Sequence, residues 1–367
     1  MIVRKSDNIP DAVSAGLDTV AIRMPASEPA RELIRFSGCP VAAPSANISG
    51  TVSATKARYV YDDFKGRIPY IIDGGSCDVG IESTVIDLTA EPPVILRPGG
   101  ITAEDMEKAG VRVKYHESIT GGGKEVIKPA SPGMKYKHYS PSCEVLLVCG
   151  NTYLCQDYIL RNVSDEDFVI AFSEQKELAK LKNSSVISSV KDPGKASAAI
   201  FDDFRKADIA GVKRIFLSSM EETGMGISYM NRVRKSAGGN IKNLNKIIFV
   251  CSGNTCRSPI AEYLMKAALP SLNVCSRGIH AANGAKMSFN SEYILESYGI
   301  YTKDFKTKQL SEEDIDGADL IYTMTEEHRK IILRLKPEAE GKVFTLKLSG
   351  DISDPFMGGS REYERVI

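Results

Sequence analysis

A multidomain chain of mixed α/β and α+β architecture is what this sequence predicts, on three observations. Its 367 residues, 43% of them hydrophobic, are long for one domain and supply enough apolar side chains for several cores. After about residue 143, short runs rich in Val, Ile and Phe alternate with helical patterns, as parallel α/β units do. Before about residue 110 the chain is richer in Pro and Gly, and its strand-like runs, Thr19–Arg23, Tyr70–Asp73 and Thr84–Leu88, are more widely spaced. That first stretch reads as a mixed α+β piece.

Punctuation sets the expected boundaries. Gly121-Gly122-Gly123 and Pro129-Ala130-Ser131-Pro132-Gly133 bracket one linker, and Gly238-Gly239-Asn240 opens a second. The expected divisions are therefore 1–110, a linker at 111–142, a small α/β domain at 143–237, a linker at 238–245, and a second α/β domain at 246–367. In the small domain, Val145–Val148, Val169–Phe172 and Ile215–Leu217 read as strands and Ala196–Lys206 as a helix. In the last one, Ile247–Val250, Leu320–Thr323 and Val343–Leu346 are strands, and Ile260–Met265 carries a helical pattern. Its expected frame is a central parallel sheet.

Composition excludes several classes. Lys+Arg and Asp+Glu both total 47, so the formal net charge is zero and no global field points to nucleic acid or to a membrane surface. The longest apolar runs are too short to span a bilayer, and the first residues lack an apolar signal core. A cytoplasmic protein without a membrane partner is expected. The eight cysteines are scattered, as suits a reducing compartment, and the four histidines are not clustered with them, so no metal site is expected.

Chemistry concentrates in Cys251-Ser252-Gly253-Asn254-Thr255-Cys256-Arg257, between a strand-like run and a helical one. A tight loop at a helix N-terminus offers backbone N–H groups and a dipole to a phosphoryl group, and a guanidinium adds a fork. A cysteine at the loop's start would lie beneath the phosphorus, where the same positive field favours a thiolate nucleophile. Ser258 can hydrogen-bond that sulfur, and Asn254 can pin the loop through side-chain bonds to the backbone. Far downstream, Asp354-Pro355-Phe356 places an acid on a proline-stiffened loop, suited to protonating a leaving group. A cysteine and arginine at this spacing also occur by chance, as a buried thiol beside a surface cation.

Together, Cys251, Arg257, Ser258 and Asp354 resemble the low-molecular-weight protein tyrosine phosphatase family over roughly Asn245 to Ile367. The resemblance implies attack by Cys251, a phosphocysteine intermediate held by Arg257 and the amides of Ser252 to Cys256, and proton transfer by Asp354, with no cofactor. Thr255 and Phe356 are similar to the protein arginine phosphatases of that family, implying phosphoarginine as the group removed from a phosphoprotein; phosphotyrosine is the alternative. Arg277 stands where the family usually has a small residue, Met287–Ser291 lacks its usual Pro-His, and Ile367 precedes its closing helix. Cys256 is most simply a small core residue lining the loop, and its place in the motif also allows a Cys251–Cys256 disulfide.

Near the other end, Pro44-Ser45-Ala46-Asn47-Ile48-Ser49-Gly50 is a turn of small and hydroxylic residues that lets backbone approach a phosphate. With Asp73-Gly74-Gly75, then Gly80-Ile81-Glu82-Ser83-Thr84-Val85, then Leu96-Arg97-Pro98-Gly99, it resembles the threonylcarbamoyl-AMP synthases of the Sua5/YrdC family, over about Met1 to Ala237. That resemblance implies synthesis of an adenylate from ATP, with Mg2+, L-threonine and bicarbonate, serving the t6A37 modification of tRNA and, indirectly, its machinery. By motif position, Thr19, Ser45, Ser53, Arg97 and the linker's Tyr136 would contact ATP, Arg23 and Ser83 would face threonine, and Tyr136 and His138 would close over the site. Arg23 at a strand end and Ser53 as a helix N-cap would also be ordinary structural residues. The family's first half, with its K-x-R motif, has no counterpart before Ile2. The synthase part therefore reads as a C-terminal half, not expected to complete synthesis alone, and a nucleotide- or RNA-binding module without catalysis is the alternative.

Overall fold

The inner strands of the parallel sheets, such as Val169–Phe172, Ile215–Leu217 and Ile247–Val250, are buried on both faces, which is why they read as unbroken apolar runs. The computed structural model describes residues 1–120 and 140–365. The chain falls into two units, Met1–Ile241 and Lys242–Ile367.

The first unit holds two sheets. One combines β1 (Ile2–Arg4), β2 (Thr19–Ala21), β3 (Val85–Asp87), β4 (Val94–Arg97) and β5 (Lys114–Tyr115) in the order β2-β1-β3-β4-β5. Its pairings are mixed: β1–β2 and β3–β4 are antiparallel, β1–β3 and β4–β5 parallel. The expected strand at Tyr70–Asp73 does not form. Tyr70 and Ile72 are 87% and 67% exposed, and β-branched propensity without a partner strand or a face to bury is not enough to make a strand.

In the other sheet, β6 (Glu144–Cys149), β7 (Asp167–Phe172), β8 (Ser184–Ser188) and β9 (Arg214–Ser218) run parallel in the order β6-β9-β7-β8. The helix Pro193–Ala210 covers it and extends beyond the expected Ala196–Lys206. Asp192 caps its start, accepting from the Lys195 N–H at 3.0 Å, and Pro193 takes the first position, where no N–H is needed. Ile200, Phe201 and Phe204 bury its inner face with Tyr229 and Val233 of the helix Met225–Ala237. Each such side chain contributes about 1.5–3 kcal/mol on leaving water.

Ion pairs tie the α+β piece to this layer. Arg205 forks onto both carboxylate oxygens of Asp63 at 2.8 and 2.7 Å and donates to the Val52 carbonyl. Arg232 donates to Glu82 and, at 3.1 Å, to the Pro98 carbonyl, while the Ser228 hydroxyl donates to the Gly99 carbonyl at 2.9 Å. A short strand, β10 (Ile241–Asn243), follows.

The second unit has one parallel sheet, β12 (Asn273–Gly278), β11 (Lys246–Cys251), β13 (Leu320–Thr323) and β14 (Val343–Thr345), in that spatial order. From β11 the chain crosses first to one neighbour and later to the other. The carboxyl end of β11 is thus the point where strand order switches, and crevices open there in such sheets. Ile248, Val250, Ile321, Ile332 and Val343 share one apolar cluster, and Cys256, Ile260, Met287, Leu295, Phe305 and Tyr363 another.

Candidate active sites

Cys251 ends β11, and the helix Arg257–Ala268 starts six residues later with no side-chain cap at Cys256. Its first-turn N–H groups are therefore left for an anion. Among the described residues, no protein acceptor takes the N–H groups of Gly253 through Cys256. The loop's curvature rests on Asn254, whose φ is 56°, a left-handed conformation that Asn tolerates better than most residues. Its buried side chain donates to Ser258 Oγ at 3.1 Å and Ser276 Oγ at 2.8 Å and accepts from the Lys308 N–H at 2.9 Å. The expected pinning of the loop thus uses two hydroxyls and one backbone group. Ser276 in turn donates to Glu262 at 2.6 Å.

Four predicted residues meet here. Cys251 Sγ lies 3.0 Å from Ser258 Oγ, and both side chains are buried. The Arg257 guanidinium, also buried, donates to the Ile352 carbonyl at 3.1 Å and to Asp354 Oδ2 at 2.6 Å. Asp354 is half exposed, so an acid at the rim faces a cation in the floor. Thr255 is half-buried, with Oγ1 3.5 Å from Cys256 Sγ, and its carbonyl accepts from the Ser288 N–H at 2.9 Å. Phe356 is exposed.

Cys256 sits in the apolar cluster beneath the loop with Sγ 3.2 Å from Tyr363 Oη. Burial, then this contact, pushes the Tyr363 phenol above its ordinary pKa. Cys251 and Cys256 are both free thiols.

Gly278 and His328, which motif reading missed, complete this site, together with the two places where the sequence departs from the family pattern. Gly278 ends the neighbouring strand, and a Cβ there would lie 2.8 Å from Asn254 N and Ser252 O, so only glycine lets the loop pack this close. Arg277 is accommodated by Asp314, with bonds of 2.7 and 2.9 Å. Ser288 stands near the missing Pro-His and caps the helix Phe289–Ser297. His328 reaches Ser252 Oγ with Nε2 at 2.9 Å.

The candidate residues of the first unit are more dispersed. Thr19 opens β2 opposite Arg4. Ser45 and Arg23 are exposed, Arg23 two residues beyond the end of β2. Ser53 does not cap a helix: the cap of Ala57–Phe64 is Lys56. Ser53 Oγ is instead buried with no hydrogen-bond partner among the described residues. Arg97 and Ser83 do meet, the Arg97 Nε donating to the Ser83 carbonyl at 3.0 Å. The two motif loops stack so closely that a Cβ on Gly99 would lie 2.3 Å from Thr84 N. Tyr136 and His138 lie outside the described residues. Among the described residues, no three His, Cys, Asp or Glu side chains gather as metal ligands.

Comparison with known proteins agrees with this division. The family model described as Telomere recombination, Sua5/YciO/YrdC type, matches residues 1–99, that of the threonylcarbamoyl-AMP synthase C-terminal domain matches 101–238, and that of low molecular weight phosphotyrosine protein phosphatase matches 246–367. The threonylcarbamoyl-AMP synthase of Pyrococcus abyssi is 42% identical over 247 residues, 66% of this chain and 70% of that protein. The crystal structure of P. abyssi Sua5 complexed with L-threonine superposes with a TM-score of 0.57 at 39% identity, covering 66% of this chain and 71% of that one. The protein-arginine-phosphatase of Geobacillus stearothermophilus is 41% identical over 124 residues, 32% of this chain and 83% of that protein. The chain therefore belongs to two families in succession, the Sua5/YrdC threonylcarbamoyl-AMP synthases through residue 238 and the low-molecular-weight phosphatases from Lys246 onward.

Proposed function

We propose that residues 246–367 remove phosphoryl groups from protein side chains, phosphoarginine foremost, through a cysteine-bound intermediate. The observation that carries this reading is Cys251 Sγ at 3.0 Å from Ser258 Oγ, with Arg257 buried beside it and paired to Asp354. A phosphoryl group entering the loop exchanges the Arg257–Asp354 pair for an Arg257–phosphoryl pair, and Asp354, half exposed at the rim, takes up a proton from solvent and turns to the leaving atom. The Cys251 thiolate attacks phosphorus in line; the S–P bond forms as the bond to the guanidino nitrogen breaks, and Asp354 gives that nitrogen its proton. Water then attacks phosphorus, Asp354 takes the proton, and the S–P bond breaks to return the thiolate. Arg257 and the loop amides stabilise the equatorial oxygens. Phosphotyrosine is the second reading, favoured by the description of the matching family model.

The test is hydrolysis of phosphoarginine and phosphotyrosine peptides by the full chain in EDTA. Turnover that persists in EDTA and is lost in Cys251→Ala supports the covalent route, and activity surviving Cys251→Ala overturns it.

For residues 1–238 we propose the ATP- and threonine-facing part of a threonylcarbamoyl-AMP synthase, acting with bicarbonate in t6A modification of tRNA in the cytoplasm. Thr19, Ser45, Ser53 and Arg97 face ATP, bound as its Mg2+ complex, and Arg23 and Ser83 face L-threonine. The Arg97–Ser83 bond supports this by joining one nucleotide-facing and one threonine-facing residue. No helix among the described residues is long and apolar enough to cross a membrane. Equilibrium binding of ATP and L-threonine to the full chain, weakened by Arg97→Ala, is expected; a chain that binds neither overturns the assignment.

A further inference from the structure

The helix Glu326–Leu335 begins just beyond β13, the strand paired with β11 through Val250 and Thr323. Its first turn therefore lands beside the loop that leaves β11. Thr325 caps the helix by accepting from the His328 N–H at 3.2 Å, which sets His328 in that first turn. From there the imidazole, 7% exposed, reaches the second residue of the phosphate loop: Nε2 is 2.9 Å from Ser252 Oγ. The carbonyl of Ser252 accepts from the His280 N–H at 2.8 Å. Ser252 is thus held by its side chain from one flank and by its backbone from the other.

The remaining imidazole nitrogen, Nδ1, is buried and has no hydrogen-bond partner among the described residues. A buried, half-satisfied ring in a first helical turn is an unfavourable core residue, and the bond to Ser252 is the contact that accounts for it.

We propose that His328 is a positioning residue of the phosphate loop, which through Ser252 fixes the loop's first turn so that its amides converge on a phosphoryl group. The proposal rests on the phosphatase reading above. Burial, then the Arg257 charge, holds the imidazole below its ordinary pKa; Asp354 and Asp351 from the opposing loop, and Glu327 from its own helix, pull the other way. In the empty loop the ring is therefore neutral at neutral pH. A bound dianion offsets Arg257 and favours the protonated ring, so anion affinity rises as pH falls toward and below the ordinary histidine value of about 6.5.

The experiment measures kcat and KM on a phosphopeptide, and the inhibition constant of inorganic sulfate, from pH 5.5 to 8. It compares the wild-type full chain with Ser252→Ala, His328→Leu, His328→Gln and the Ser252→Ala/His328→Leu double variant. Sulfate is used because it remains a dianion throughout this range. Losing one hydrogen bond predicts that Ser252→Ala and His328→Leu each raise KM and the sulfate constant about three- to tenfold while kcat stays within about twofold. The double variant should be no worse than the poorer single, since both remove the same bond. His328→Gln, which keeps an N–H within reach of Ser252, should recover most of the loss at pH 8 yet lack the tightening at low pH that His328→Leu also lacks.

Wild-type sulfate affinity in Ser252→Ala, additive losses in the double variant, or kcat falling as far as kcat/KM would each overturn the proposal. If His328→Leu does not fold, Ser252→Ala and His328→Gln still decide. Wild-type turnover that survives Cys251→Ala would instead strike the phosphatase reading beneath it.

Discussion

Arg257 and Arg232 are both almost fully buried cations, each paired to a carboxylate from a distant segment, yet the two carboxylates differ in their access to solvent. In the second unit Arg257 reaches Asp354, which is half exposed at the rim, so an incoming phosphoryl group can compete for the cation. In the first unit Arg232 reaches Glu82, whose side chain is only 13% exposed, and also takes the Pro98 carbonyl. Nothing from solvent displaces that pair easily. Under the proposed phosphatase function one arginine is poised for exchange, whereas the other fastens two layers together. What separates them is the solvent access of the carboxylate, since a buried pair broken on one side leaves an uncompensated charge while a rim pair can rehydrate.

Removing the proposed nucleophile beside Arg257 should have the greatest consequence. Cys251→Ala should abolish phosphopeptide hydrolysis while leaving the unfolding profile in place, and EDTA should leave wild-type turnover unchanged. Any residual metal-independent turnover in that variant would make Arg257 another structural pair.

Next in size is Arg232→Met, which strands Glu82 and should destabilise the first unit by about 3 kcal/mol or more. Cys251-dependent hydrolysis by the same full chain should persist under conditions where hydrogen exchange shows the Gly80–Gly99 region opening. Adding Glu82→Gln should recover part of the loss. An unchanged denaturation midpoint would show that the clamp is no more than a surface ion pair.

Asp354→Asn keeps the shape of the rim and removes the proton. Turnover should fall about a hundredfold, most for poor leaving groups; equal losses for good and poor leaving groups would place the acid elsewhere.

Thr255→Ile probes the loop's half-buried wall. A phosphoarginine guanidinium needs acceptors for its N–H groups, and the threonine hydroxyl supplies one where isoleucine supplies none. The ratio of kcat/KM for phosphoarginine over phosphotyrosine should exceed one in wild type and fall roughly tenfold in the variant. An unchanged ratio leaves a general tyrosine phosphatase.

The smallest effect concerns pH in the first unit. Burial, then Arg232, with Arg97 adding to it and Glu82 opposing, pushes Lys235 down to about 8. Between pH 8 and the ordinary lysine value of about 10.4, the unfolded chain holds a proton that the folded chain has released, so stability rises with pH in that window. Below pH 8 both states are charged and the penalty is full. Lys235→Met should therefore be more stable than wild type at pH 7, with the gap narrowing toward pH 10. A gap that stays constant across this range would show that Lys235 is hydrated.

Much of this was legible from residue order alone. The loop from Cys251 to Arg257 is contiguous, its strand is an unbroken apolar run and its helix starts at once, so strand, loop and helix start follow from local chemistry, and with them the place of the proposed nucleophile. The parallel sheets were equally plain, because a strand covered on both faces leaves a continuous apolar signature. Tyr70–Asp73 misled for the converse reason: an apolar run has strand propensity, but only a neighbouring strand can complete its ladder. Ser53, read as an ATP contact with a helix cap as its ordinary alternative, is not that cap, because the helix begins later, at Ala57 after Lys56.

What only tertiary structure decided is which distant groups touch. Arg257 meets Asp354 across 97 positions, Ser252 meets His328 across 76 and Arg232 meets Glu82 across 150. The Asp354-Pro355 pair could be recognised as an acid on a stiff loop, but not as the resting partner of Arg257. His328 carried no signal beyond a Thr-Glu-Glu-His helix start. Local sequence determines which backbone conformation a segment prefers and which groups it offers. The order of strands in a sheet determines which of those offers are accepted, because it brings the loops after β11 and β13 side by side, and no periodicity within either segment encodes that adjacency.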